Sequence, residues 1–238
     1  MEDERIMDTI TQRWQAIKAS IQAAAQDAGR NPEQVTLLAV SKAHPASAIR
    51  QVWHAGQHQF GENYLQEALA KQLELQDLAI EWHFIGPLQS NKTQQIANHF
   101  SWVHGVDRLK IAERLNAARS DTLPPLQVCI QVNVSKEDSK SGVNAEEALK
   151  LATSINGMPK LQLRGLMAIP APTPDHAEQQ AQFHQVRLIY DHLIQQGIAL
   201  DTLSIGMSED FPAAIAEGAT IVRVGSAIFG PRHSHNPA

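Results

Sequence analysis

Lys42 ends the run Leu37-Leu38-Ala39-Val40-Ser41-Lys42, an apolar, partly β-branched stretch that closes on an amine. Apolar neighbours along the stem destabilise an ammonium, lower its pKa from about 10.4 and free the neutral amine to attack an aldehyde. The same residue also reads as a lysine that snorkels its charge to the rim. A second set is Gly206-Met207-Ser208 with Gly225-Ser226. Each glycine lets backbone approach an anion, each serine offers a hydroxyl, and a helix beginning near Phe211 aims unpaired amides at the same place. Two glycine turns and a helix N-cap would leave the same pattern. The third is Arg223 in Ile221-Val222-Arg223-Val224, where alternation puts Ile221 and Arg223 on one face and the valines on the other. An enclosed guanidinium needs an acid or an accepting ligand atom; a structural salt bridge would serve equally.

Elements that could bring these residues together are legible as a repeat of short apolar runs and helical stretches. The strands are expected at Val35 to Val40, Gln59 to Glu62, Trp82 to Ile85, Trp102 to Val106, Leu126 to Val132, Leu161 to Met167, Thr202 to Ile205 and Ile221 to Val224. Helices are expected from near Pro45, Tyr64, Asn91, Arg108, Asn144, His176 and Phe211. Such alternation favours parallel strands with helical crossovers, and about eight pairs in about 200 residues suit a closed (β/α)8 TIM barrel. An open doubly wound sheet is the other arrangement. Ahead of the barrel (about 35–230), Ile6, Ile10, Trp14, Ile17, Ile21 and Ala24 line one face of an extra helix over about 3–29, stopped by Gly29 and Pro32. With no linker-like tract, residues 1–238 read as one domain.

Barrels place reactive groups on the loops after the strands and often bind phosphate with the last two. An amine after strand one, an anion cradle after strands seven and eight, and a guanidinium beneath them match the aldehyde, phosphate and ring nitrogen of pyridoxal 5′-phosphate.

Composition narrows the alternatives. A chain of 238 residues, 43% hydrophobic and 19% charged, has the make-up of a globular protein. Its formal charge of −5, with no basic patch, argues against nucleic-acid and anionic-membrane binding. The start, Met1-Glu2-Asp3-Glu4-Arg5, lacks the basic and apolar segments of an export signal, and no run is long and apolar enough to span a bilayer. The single Cys129 reads as a reduced core thiol, so a cytoplasmic location is expected.

Several segments carry a family likeness: Leu38-Ala39-Val40-Ser41-Lys42, Phe60-Gly61-Glu62-Asn63-Tyr64, the run Trp82-His83-Phe84-Ile85-Gly86-Pro87-Leu88-Gln89-Ser90-Asn91-Lys92, Gly165-Leu166-Met167, Leu203-Ser204-Ile205-Gly206-Met207-Ser208, and Arg223-Val224-Gly225-Ser226-Ala227-Ile228-Phe229-Gly230. On these the chain resembles the pyridoxal phosphate homeostasis proteins, also called the PLP-binding or proline synthase co-transcribed family. The resemblance implies a fold-type III barrel like the alanine racemase N-terminal domain, with the cofactor held as a Schiff base on Lys42. It further implies Arg223 at the pyridine nitrogen, Asn63 beside the cofactor, and Ser208, Gly225 and Ser226 at the phosphate; Met207 is a further cofactor-binding candidate. The family more often has threonine where this chain has Ser226; the hydroxyl is kept and a methyl is lost.

The expected role is carriage or buffering of the cofactor by a monomer, with apo forms of pyridoxal enzymes as recipients. A weak amino-acid racemase is the alternative. Arginine at the ring nitrogen scarcely protonates it and so weakens the electron sink. The roughly 14 residues after strand eight are too few for the second domain of such racemases. Two-base racemisation also needs an acid opposite the lysine. Tyr64, at a strand end, is the candidate acid, whereas Tyr190 reads as core. Gly206-Met207-Ser208 lacks the second glycine of a hydrolase nucleophile elbow, Asp210 standing there. Eleven histidines are scattered rather than grouped, so no metal is expected. His54 and His58 are separated by Gly56, and His233-Ser234-His235 sits in a polar tail. In the loop after strand five, Lys136 and Lys140 are candidates for capturing free cofactor or a transfer partner.

Overall fold

A computed structural model describes residues 2–135 and 141–231, with side chains from residue 10 onward. Lys136, Lys140 and the His233-Ser234-His235 tail therefore lie outside the described residues. Eight strands, β1 (Thr36–Val40), β2 (Gln59–Glu62), β3 (Glu81–Phe84), β4 (Trp102–Val106), β5 (Leu126–Gln131), β6 (Leu161–Met167), β7 (Thr202–Ser204) and β8 (Ile221–Val224), form a closed parallel barrel in sequence order. The β1–β8 seam that closes it pairs Leu38 with Arg223. Every expected strand is present, with ends within one residue of those read from the pattern.

Between them run α2 (Ala46–His54), α3 (Leu65–Glu74), α4 (Thr93–His99), α5 (Leu109–Ala118), α6 (Ala145–Asn156), α7 (His176–Gln195) and α8 (Phe211–Ala216). Local chemistry sets their starts. Asn144 and Glu147 close a capping box on α6, and the Asp175 carboxylate accepts the Ala177 and Glu178 amides on α7. The N-terminal helix α1 (Glu2–Asp27) packs against α2 and α8 with buried Ile10, Trp14 and Ile21. Trp14 Nε1 donates to Gln57 Oε1 at 3.0 Å. One element was not anticipated: α9 (Ser226–Phe229), a single turn after β8 that α1 covers, with Arg13 Nε donating to Ile228 O at 2.8 Å. Four residues are too few to carry a helical period, so the sequence gives no sign of it.

The parity of the strands divides the core into two layers. Leu37, Ala39, Phe60, Val103, Val222 and Val224 point outward into the large sheet-to-helix core. Leu38, Trp102, Cys129, Met167 and Ile221 form a separate cluster inside the barrel, with Ile85 against it. Burial pushes the Cys129 thiol up to about 12, so it stays protonated, as a core thiol should. Among the described residues no helix is long and apolar enough to cross a membrane.

Candidate cofactor-binding site

The same parity aims Lys42. Leu38 faces the interior and Val40 lines the mouth, so the next even position beyond the strand end reaches over the barrel opening. There Lys42, Asn63, Met207, Ser208, Arg223, Gly225 and Ser226 all line one cleft of about 290 Å³ at the carboxyl ends of the strands. Four separate stretches of chain supply them, so the seven residues named from the sequence converge in space. Larger surface grooves lie elsewhere, and in the one beside α7 Arg164 is paired with Asp201 and Arg187 with Asp191.

The backbone around Lys42 is pinned by a buried polar cluster. Glu62, fully buried at the end of β2, accepts from Ser41 Oγ at 2.6 Å and from Lys71 Nζ at 2.7 Å. The Lys71 ammonium also donates to Ser41 O at 2.8 Å and Glu67 Oε1 at 2.6 Å, and Glu67 Oε1 takes the Ala43 amide at 2.6 Å. Both neighbours of Lys42 are thus held. Ala43 needs that hold, because it adopts φ 62, a left-handed conformation disfavoured for a residue with a Cβ. Burial pushes the Glu62 carboxyl up, opposed by Lys71, and its Oε2 has no hydrogen-bond partner.

Arg223 is held by neutral acceptors of the protein rather than by an acid. Among the described residues the buried guanidinium forms no ion pair with a carboxylate. Nη1 donates to Ser204 O and to Ser204 Oγ (2.7 Å), and Nη2 to Ala168 O at 2.9 Å. These occupy three of its five N–H donors. Three neutral acceptors satisfy the group geometrically without cancelling its charge, and desolvation pulls its pKa down to about 10, still well above neutrality.

The phosphate end also departs from the sequence reading. The amides of Asp210 and Phe211 at the start of α8 are spent on Met207 O (3.2 and 2.9 Å), and Asp210 Oδ1 takes the Met207 amide at 2.5 Å. The α8 terminus is therefore closed by its own loop and offers those amides to no anion. Burial raises the Asp210 carboxyl, an effect sequence spacing could not reveal. Gly206 is required by its φ of 92 and by α8, since a Cβ would lie 2.6 Å from Ala214 Cβ. Gly225 leaves room for Val40 O, which a Cβ would approach to 3.0 Å. The protein's own atoms, Ala214 Cβ at Gly206 and Val40 O at Gly225, rather than an anion, crowd a side chain at these positions. The Ser208 and Ser226 hydroxyls remain on the cleft wall.

Other cleft residues were missed. His44, buried and stacked on Phe229 (5.2 Å, 27°), follows Lys42 by two, the one signal that could have marked it. Ile169, Pro172 and Thr173 come from the proline-rich loop after β6, read from sequence as a plain connection, and Gln179 joins them from α7. Neither tyrosine lines the cleft: Tyr64 is 55% exposed and Tyr190 packs in α7. Among the described residues no three His, Cys, Asp or Glu side chains group for a metal.

Residues 13–233 match the family model for the alanine racemase N-terminal domain. A protein of Pseudomonas aeruginosa named pyridoxal phosphate homeostasis protein is 56% identical over 232 residues, 98% of this chain and 100% of its own. The protein of that name from Escherichia coli K12 is 51% identical over 229 residues, covering 95% and 98%. The solved structure of PipY from Synechococcus elongatus with PLP bound superposes with a TM-score of 0.82 at 40% identity, over 93% of this chain and all of that one. The chain belongs to the alanine racemase N-terminal domain family and, within it, to the pyridoxal phosphate homeostasis proteins.

Proposed function

We propose that this protein binds pyridoxal 5′-phosphate in the cleft above β1, β7 and β8, and that it carries or buffers the cofactor. The observation that carries the reading is the convergence of Lys42, Arg223, Ser208 and Ser226, from opposite ends of the chain, on one cleft. The residues fit the group. Asn63 Oδ1 is buried at the cleft with no hydrogen-bond partner, an acceptor that a bound molecule's donor would satisfy. The name shared by the relatives and the PLP in PipY support the same cofactor.

In this reading Lys42 would hold the cofactor's aldehyde as a Schiff base. Arg223, held by Ser204 and Ala168, would face the pyridine nitrogen. Ser208, Gly225 and Ser226 take the phosphate with Met207 alongside, and Asn63 lies beside the ring. The group supplies an electrophilic aldehyde and an electron-withdrawing ring when bound. Arg223, charged but reluctant to give up a proton, restrains that withdrawal. The protein acts as one unit over residues 1–238, a cytoplasmic monomer whose recipients are apo forms of pyridoxal enzymes.

Membership of a racemase-related family favours one second reading, a weak amino-acid racemase. The placement of Tyr64 and Tyr190 outside the cleft counts against it, since a tyrosine would be the acid it uses. Incubation with single amino-acid enantiomers in D₂O separates the two readings. Turnover of about 1 s⁻¹ or faster overturns carriage, whereas transfer of cofactor to an apo-enzyme without turnover supports it.

A further inference from the structure

A line of hydrogen bonds crosses the barrel interior from the cleft to the opposite end. Ser204 Oγ, which accepts from Arg223, lies 2.8 Å from His104 Nδ1. His104 Nε2 lies 2.9 Å from His83 Nδ1, and His83 Nε2 lies 3.0 Å from Glu81 Oε1. Both imidazoles are buried, and His83 stacks on Trp102 at 5.2 Å and 6°. The Glu81 side chain is 40% exposed at the amino end of β3.

Valence fixes the direction of every bond. An ionised carboxylate only accepts, so His83 donates from Nε2 and, being neutral, accepts at Nδ1. His104 must then donate from Nε2 and accept at Nδ1. The Ser204 hydroxyl donates to His104, which leaves only lone pairs facing Arg223. The electrostatics agree: the hydrogen bond from His83 holds the Glu81 carboxyl below its usual range, and burial holds both histidines below theirs. Protons do not travel along this line, because Arg223 keeps its own and the desolvated imidazoles resist a second. The other groups that bear on Glu81 are Arg164 of β6, itself paired with Asp201 at 2.7 Å, and the Trp102 indole of β4.

We propose that Glu81 is a positioning residue for Arg223: from the far end of the barrel its carboxylate sets one tautomer in His83 and His104, and so turns the Ser204 hydroxyl to accept from the guanidinium. The proposal rests on the cofactor reading only for its effect on affinity; the tautomers belong to the protein alone.

The test has two arms. In apo protein labelled with ¹⁵N-histidine, long-range ¹H–¹⁵N correlation should show Nε2–H tautomers for His83 and His104. Glu81→Ala should mix the tautomers of both and weaken PLP binding, read from visible absorbance, by about 3- to 10-fold, the scale of one misdirected hydrogen bond. Glu81→Gln, which keeps an accepting oxygen, should restore both. Nδ1–H at His104 in the wild type overturns the proposal, and needs no variant. So does weakened binding in Glu81→Ala with unchanged tautomers, which would mark a merely structural effect, or failure of Glu81→Gln to rescue. A wild type that binds no PLP would sink the cofactor reading instead and leave the tautomer result standing.

Discussion

Lys71 Nζ sits 2.7 Å from Glu62 Oε1 and 2.8 Å from Ser41 O, so one buried ion pair grips the backbone immediately before Lys42. The ammonium reaches from α3, the carboxylate from β2 and the carbonyl from the end of β1. The amine of the cleft is thereby aimed by residues that do not line it.

Removal of one partner of this pair leaves an uncompensated buried charge. Lys71→Met should cost about 3–5 kcal/mol, measured by urea denaturation. The double variant Glu62→Met with Lys71→Met should recover most of that loss in stability while still loosening the Lys42 loop. Equal costs for the single and double variants would contradict the assignment.

Gly206 and Gly225 should respond differently to alanine. At Gly206 the new Cβ meets both a φ of 92 and Ala214 Cβ at 2.6 Å, so Gly206→Ala should cost more than about 1 kcal/mol and weaken cofactor binding through the Met207–Ser208 loop. Gly225→Ala, at φ −119 with Val40 O at 3.0 Å, should cost less. Thermal unfolding of the two variants gives the order.

Ser208 and Ser226 are assigned to the phosphate, and their effect should vanish when the phosphate does. Ser208→Ala and Ser226→Ala should each weaken PLP binding by about tenfold or more, the scale of a hydrogen bond to a charged group, and leave pyridoxal binding unchanged. Equal losses for the two ligands would place the hydroxyls elsewhere.

The histidine line predicts a pH dependence with a definite sign. Folded His83 and His104 titrate below 6.5, so between that value and their folded pKa values the unfolded chain binds more protons than the native one. Stability should therefore fall as pH drops below about 6.5, by up to about 1.4 kcal/mol per pH unit for each histidine. His104→Gln should flatten the profile between pH 5 and 6.5; an unchanged slope would contradict the burial of a neutral imidazole.

The barrel was legible because its strands are short apolar runs at regular spacing, and alternation alone placed Arg223 and Ile221 inside with Val222 and Val224 outside. The cleft residues were legible for a related reason: strand ends in a barrel must converge. Partners were not. Of the partners Arg223 was expected to need, an acid is not the one it bonds; Ser204 and Ala168 hold it, because carbonyl direction is not written in residue type. The line from Ser204 through His104 and His83 to Glu81 spans three strands far apart in sequence, so scattered histidines gave no hint that two of them touch. The α8 amides were assigned to an anion because the turn from Met207 to Asp210, which consumes them, leaves no periodic signal.

The most direct test is borohydride reduction of the protein loaded with pyridoxal 5′-phosphate, followed by peptide mass mapping. The account predicts a single phosphopyridoxyl adduct on Lys42, lost together with the visible absorbance in Lys42→Ala. An adduct on another lysine, or an unchanged spectrum in Lys42→Ala, would contradict it.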